Sequence, residues 1–158
     1  MKYKKLIVDY KTPLATQLKE LGIENYLELD KIQNLYPQEK ILYDVEDGTE
    51  TTGISPQDNE KQFAQQNRRG LNVYEGLALL RKNKKLLKHH YLDLVGSRYE
   101  SAYRVPYVYL DFGDQPELDW ISADGVTTLE TKVRLGYAAE AWDANPAKRQ
   151  HRNLPDKP

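Results

Sequence analysis

Residues 68–112 read RRGLNVYEGLALLRKNKKLLKHHYLDLVGSRYESAYRVPYVYLDF, and the change of period along this stretch decides the fold class. Asn72 with Glu75 three positions on is a helix-capping pair, and Val73, Leu77 and Leu80 then recur on one helical face. Gly76 sits inside that helix at a cost of about 1 kcal/mol relative to alanine, which predicts close approach by another backbone. The basic run Arg81, Lys82, Asn83, Lys84 and Lys85 bends the pattern. Leu86, Leu87 and His90 resume it as a second short helix, closing a helical hairpin. After a polar connector at 96–99 the period falls to two, predicting a strand over 107–112. Val108, Leu110 and Phe112 point one way, Val105, Tyr107 and Tyr109 the other, so both faces are expected to be covered. Pro106 has no amide hydrogen and belongs at the strand's start or at an edge.

Working outward, residues 2–10 form a short strand or the lead-in to a helix. Thr12-Pro13 is a helix start, with threonine as N-cap, for a helix over 13–21 that Gly22 ends. Ile23, Leu27, Ile32 and Leu35 suggest a second, irregular helix over 23–36. Residues 40–54, turning at Asp47-Gly48, read as a hairpin. Ser55-Pro56-Gln57-Asp58 opens a mostly solvated helix over 56–66, anchored by Phe63 and Ala64. The turn at 113–116 returns the chain as 117–122, a second hairpin. Residues 126–142 offer a strand, or a strand running into a helix with Ala138, Ala139 and Trp142. The predicted fold is a single α+β domain over 1–142, a small, mostly antiparallel sheet covered by three or four helices. Residues 143–158, with three prolines and many charges, read as a flexible polar tail.

At 158 residues one domain can bury about two-thirds of its unfolded surface. Twelve of the sixteen aromatics are tyrosine, which predicts a thin core with many half-buried rings. Lys plus Arg is 23 and Asp plus Glu 24, so the net charge of -1 supplies no general attraction to nucleic acid or anionic membrane. Cysteine is absent, which removes disulfides, thiolate catalysis and cysteine-ligated metals. The apolar run Leu6-Ile7-Val8 is too short for a signal peptide or a span, and a cytoplasmic chain away from membranes is expected.

Several residues carry chemistry that is weighed against plainer roles. The basic segment at 81–90 has the charge to hold phosphates, but Leu86 and Leu87 interrupt it at core spacing, as on the wet face of a hairpin. His89 and His90 project about 100° apart on a helix, so no metal site is predicted. His90, Asp93 and Ser97 are the ingredients of a hydrolase triad, without the G-x-S-x-G elbow and closer in sequence than triad members usually lie, so a turn whose serine and arginine fasten the loop is the expected role of Ser97 and Arg98. Arg98 is the first choice for holding a carboxylate or phosphate. The carboxylates Asp111, Asp114, Glu117, Asp119 and Asp124 are expected to be solubilising.

The pattern RRGLNVYEGLALL, LLKHHYLDLVGSRY and VPYVYL within 68–110 resembles a family of small bacterial proteins of uncharacterised function. The resemblance implies a shared fold over that span and supplies no activity, cofactor or catalytic residue. The reading is a non-enzymatic binding or accessory module without a cofactor, contacting another protein through a Tyr/Arg-rich loop from Tyr91 to Tyr109 displayed at the surface. Its contact residues would be His90, Ser97, Arg98, Tyr99, Tyr103 and Arg104, since tyrosine and arginine are enriched at hot spots. A small hydrolase using His90, Asp93 and Ser97 is one alternative, nucleic-acid binding through 81–90 the lesser one. The oligomeric state is left open.

Overall fold

The computed structural model describes residues 2–124 and the pair Glu140–Ala141. Three α-helices and ten short strands make an α+β fold among these residues: β1 Lys2–Ile7, α1 Leu14–Glu20, β2 Glu24–Asn25, β3 Ile32–Asn34, β4 Ile41–Glu46, α2 Pro56–Gln65, β5 Arg69–Gly70, α3 Val73–Lys82, β6 Leu92–Asp93, β7 Ser97–Tyr99, β8 Arg104–Leu110, β9 Pro116–Ser122 and β10 Glu140–Ala141. The strands divide among small sheets rather than forming one. The largest has the order β2-β9-β8-β6, with β2 parallel to β9 and the rest antiparallel; β1 pairs with β4, β3 with β7 and β5 with β10. No helix among the described residues is long and apolar enough to cross a membrane.

The best-signalled element behaves as its residues dictate. Asn72 Oδ1 accepts from the Glu75 amide, and the Glu75 carboxylate accepts from the Asn72 amide, both at 2.9 Å, completing the capping box of α3. Val73, Leu77, Ala78, Leu79 and Leu80 are all buried, so α3 is enclosed on most sides, with its N-terminus on the 96–97 connector. Leu94, rather than another backbone, presses on Gly76, where a Cβ would stand 2.3 Å from Leu94 Cδ2. Lys84–Lys88 is a 3₁₀ turn with Leu86 and Leu87 buried beneath exposed lysines. Ser55 caps α2 through the Asp58 amide. That helix is less solvated than expected, because Asn59 and Glu60 are buried beside Phe63 while Ala64 is exposed.

Other expectations are corrected. Helix α1 begins at Leu14 with Pro13 as N-cap; the Thr12 amide donates to the Asp9 carboxylate instead of its hydroxyl capping the helix. Residues 23–36 are not helical: two short strands flank a 3₁₀ turn at Leu29–Lys31, because β9 and β7 offer pairing partners that outweigh a loose helical period. Residues 40–54 do not form a hairpin. β4 pairs with β1 from Lys2↔Glu46 to Ile7↔Ile41, and Asp47 Oδ1 holds the Thr49 amide and hydroxyl, drawing the chain into a 3₁₀ turn. The predicted hairpin of β8 and β9 is present, but it begins at Arg104 and carries Pro106 within the strand, opposite Trp120, where the Pro106 carbonyl accepts from Leu94. Phe112 lies beyond the strand and is exposed. Glu140–Ala141 is extended, not helical; the other features expected over 125–158, the polar tail included, lie outside the described residues.

Candidate functional site

The connector expected on the surface is buried. Ser97, Arg98 and Tyr99 form β7 against β3, and each side chain is committed. Ser97 Oγ accepts from the Val73 amide at 3.1 Å and donates to Asn34 Oδ1 at 2.8 Å. Arg98 donates to the carbonyls of Ala102, Val95 and Ser97 at 2.8–2.9 Å and to the Glu60 carboxylate. Burial pulls its guanidinium down to about 10, so at neutral pH it still meets Glu60 as a cation. Tyr99 Oη accepts from the Glu28 amide. The physical reason is that this irregular backbone carries carbonyls and amides without ladder partners, and polar side chains satisfy them inside the protein. Ser97, Arg98 and Tyr99 are therefore not displayed at the surface. Tyr103 and Arg104 stay half-buried at the start of β8, with Arg104 over the Trp120 ring at 4.4 Å.

No hydrogen bond joins His90, Asp93 and Ser97. His90 is buried, and its Nδ1 donates to the Tyr91 carbonyl at 2.7 Å, which fixes the tautomer and leaves Nε2 sealed without a partner among the described residues. Burial lowers its pKa, keeping the ring neutral. Asp93 is wholly buried with both carboxylate oxygens unpartnered among the described residues, and burial pushes its carboxyl well above the usual range. This folded-state value lies above the unfolded one. The stability Asp93 leaves intact at low pH is therefore lost as pH rises past about 4, where the unfolded chain ionises and the folded one keeps its proton. Asp93→Asn is expected to lack this loss, so its melting temperature gains on the parent between pH 4 and pH 8. An offset equal at both pH values would show Asp93 ionised inside the fold.

The basic segment divides. Arg81 pairs with Glu20 at 2.8 Å and Lys84 donates to the Leu21 carbonyl, fastening α3 and its 3₁₀ extension to α1. Lys88 and His89 face solvent.

What the fold does assemble is a trough of about 730 Å³ between residues 87–91 and the tip of the β8–β9 hairpin. Its floor is aromatic. Directly paired strand residues share a face, so Asp93, Tyr107 and Asp119 lie in one row and Tyr109 and Glu117 in the next. Tyr91 leans on both rings at 5.7 and 5.4 Å, while Tyr107 and Tyr109 stack at 4.9 Å. Tyr109 Oη donates to Glu117 Oε2 at 2.5 Å. Burial, and for Tyr109 also that carboxylate, holds both phenols protonated. One wall is basic, from Lys88 and His89; the other is acidic, from Asp111 and Asp114. Asp111 Oδ1 accepts from the Gln115 and Gly113 amides at 2.9 and 2.8 Å, which pins the tip and holds the carboxyl below its usual range. Between the two acids Phe112 projects fully exposed.

Of the six expected contact residues His90 lines this trough; Tyr91 and Tyr109 from the ends of the expected loop, Lys88 and His89 of the basic segment, and Asp111 and Asp114 of the hairpin carboxylates line it too. Phe112, expected at the end of a covered strand, stands past it in the turn. The legible clue lay in Asp111-Phe112-Gly113-Asp114, a large apolar ring inside an otherwise polar turn.

A family described as Family of unknown function (DUF5701) matches this sequence over residues 10–142. No curated protein and no solved structure matches it.

Proposed function

The chain belongs to that family of unknown function, and from this premise we propose that it is a non-enzymatic interaction module that seats a second polypeptide in the trough. Phe112 carries the reading. A fully exposed phenylalanine on a pinned turn forfeits about 1.5–3 kcal/mol that burial against a partner would recover. The half-buried tyrosines beside it are of the residue type enriched at binding hot spots, and charged groups rim them. The hydrolase alternative loses its support, because Ser97 Oγ serves the start of α3 and His90 Nε2 is sealed.

The test places a photo-crosslinking benzoyl-phenylalanine at position 112 of the full chain in cells, with the same group at Trp120 as control. Expected is an adduct with a polypeptide from position 112 alone, mapped by mass spectrometry to the trough and abolished by Lys88→Glu. Adducts no more frequent than at the control, or indifferent to Lys88→Glu, would overturn the proposal.

A further inference from the structure

We infer that the polypeptide seated in the trough is a second copy of this chain, related by a twofold axis; the inference rests on the interaction reading above. The convex anchor and the concave seat are neighbours on one face of the molecule, since Phe112 stands at the rim of the trough formed with Tyr91 and Tyr109. The two walls have opposite sign. In an isologous contact, residue i of one copy meets residue j of the other and j meets i. A twofold rotation across this face sets Lys88 and His89 against the partner's Asp111 and Asp114, and repeats the contact in reverse. Each Phe112 then enters the opposite trough. The acidic wall is held ready, because the tip is fixed by its own amides and Asp111 is kept ionised. With a net charge of -1, two copies meet without appreciable long-range repulsion.

Sedimentation equilibrium of the full chain over a wide concentration range tests this. The wild type is expected to rise from the 18.4 kDa monomer toward twice that mass. Phe112→Ala is expected to raise the dissociation constant about tenfold or more. Lys88→Glu and Asp114→Lys, both at exposed positions, are each expected to give monomers. Mixed one to one, these two variants restore one contact with reversed sign and keep the other as in the wild type, and are expected to form a heterodimer; the double variant Lys88→Glu with Asp114→Lys reverses both contacts and is expected to form its own dimer. Rescue of this kind separates charge pairing from any change in the tip, where Asp114 has φ +58. A dimer indifferent to the single variants overturns the inference. So does a wild type that stays monomeric: if position 112 still crosslinks a different polypeptide, self-association alone falls, and if it crosslinks nothing, the interaction reading falls with it.

Discussion

Arg69→Ala is expected to cost about 3–5 kcal/mol of folding free energy and to lower the melting temperature by roughly 6–20 °C. Arg69 is almost wholly buried and grips Glu75 in a two-pronged pair, Nη1 to Oε1 and Nη2 to Oε2, each 2.7 Å. Nη1 also donates to the Gly70 carbonyl at 3.0 Å and Nη2 to Glu39 at 3.3 Å, and the guanidinium lies 5.2 Å from the Tyr36 ring. Glu75 has no exposure and accepts from the Asn72 amide, so one guanidinium joins the cap of α3 to the approach to β4. The large effect does not arise from the attraction itself. Desolvation cancels much of what a buried pair contributes, whereas removing one member strands a charge where water cannot reach it. A double variant, Arg69→Met with Glu75→Gln, removes both charges and keeps an acceptor for the Asn72 amide. It is expected to recover most of the loss. Thermal and chemical unfolding of the three proteins decide the point: a single variant as stable as the parent, or a double variant no better than the single, would contradict it.

Gly96→Ala is expected to be comparably damaging for a steric reason. A Cβ there would stand 2.6 Å from the Gly70 carbonyl oxygen, 2.7 Å from Leu71 C and 2.8 Å from Asn72 N. All three are backbone atoms, so no side-chain rotation relieves the contact. The crossing chains must part, which strains the Gly96 amide bond to the Leu71 carbonyl at 2.8 Å and the Ser97 bond to the first amide of α3. Overpacking of this kind costs about 1–3 kcal/mol and more where backbone is forced to move. Hydrogen exchange is expected to quicken at the Val73 and Gly76 amides before the rest of the protein. Gly113→Ala is the control: the nearest atom to its Cβ is Asp111 Oδ1 at 3.5 Å, an ordinary contact, and its melting temperature is expected to stay near the parent's. Equal melting temperatures for the two variants would refute the argument.

Both expectations concern residues of the 68–110 pattern, and they change how that pattern reads. Arg69, Asn72, Glu75, Ser97 and Arg98 look like a polar constellation suited to chemistry. Each instead spends its hydrogen-bonding groups on irregular backbone or on a buried counter-charge. The candidate site lies next to this scaffold, in groups that the pattern barely marks.

Features whose causes act within about four residues are readable from the chain alone. The capping box of α3, the Ser55 cap of α2, the helix after Pro13 and the β8–β9 hairpin were legible because cap, turn and period are local interactions. Features that depend on partners far along the chain took their form from packing. The segment at 23–36 carried a tolerable helical period, and strands 63 or more residues away drew it into extended pairing. Ser97 and Arg98 looked exposed because polarity in a loop signals solvent on average. Their burial required Asn34 and Glu60, which no local pattern connects to them. The trough likewise exists only where residues 87–91 meet a tip at 111–114. A side chain's polarity is written in the sequence; whether water or protein answers it is set by the packing of remote elements.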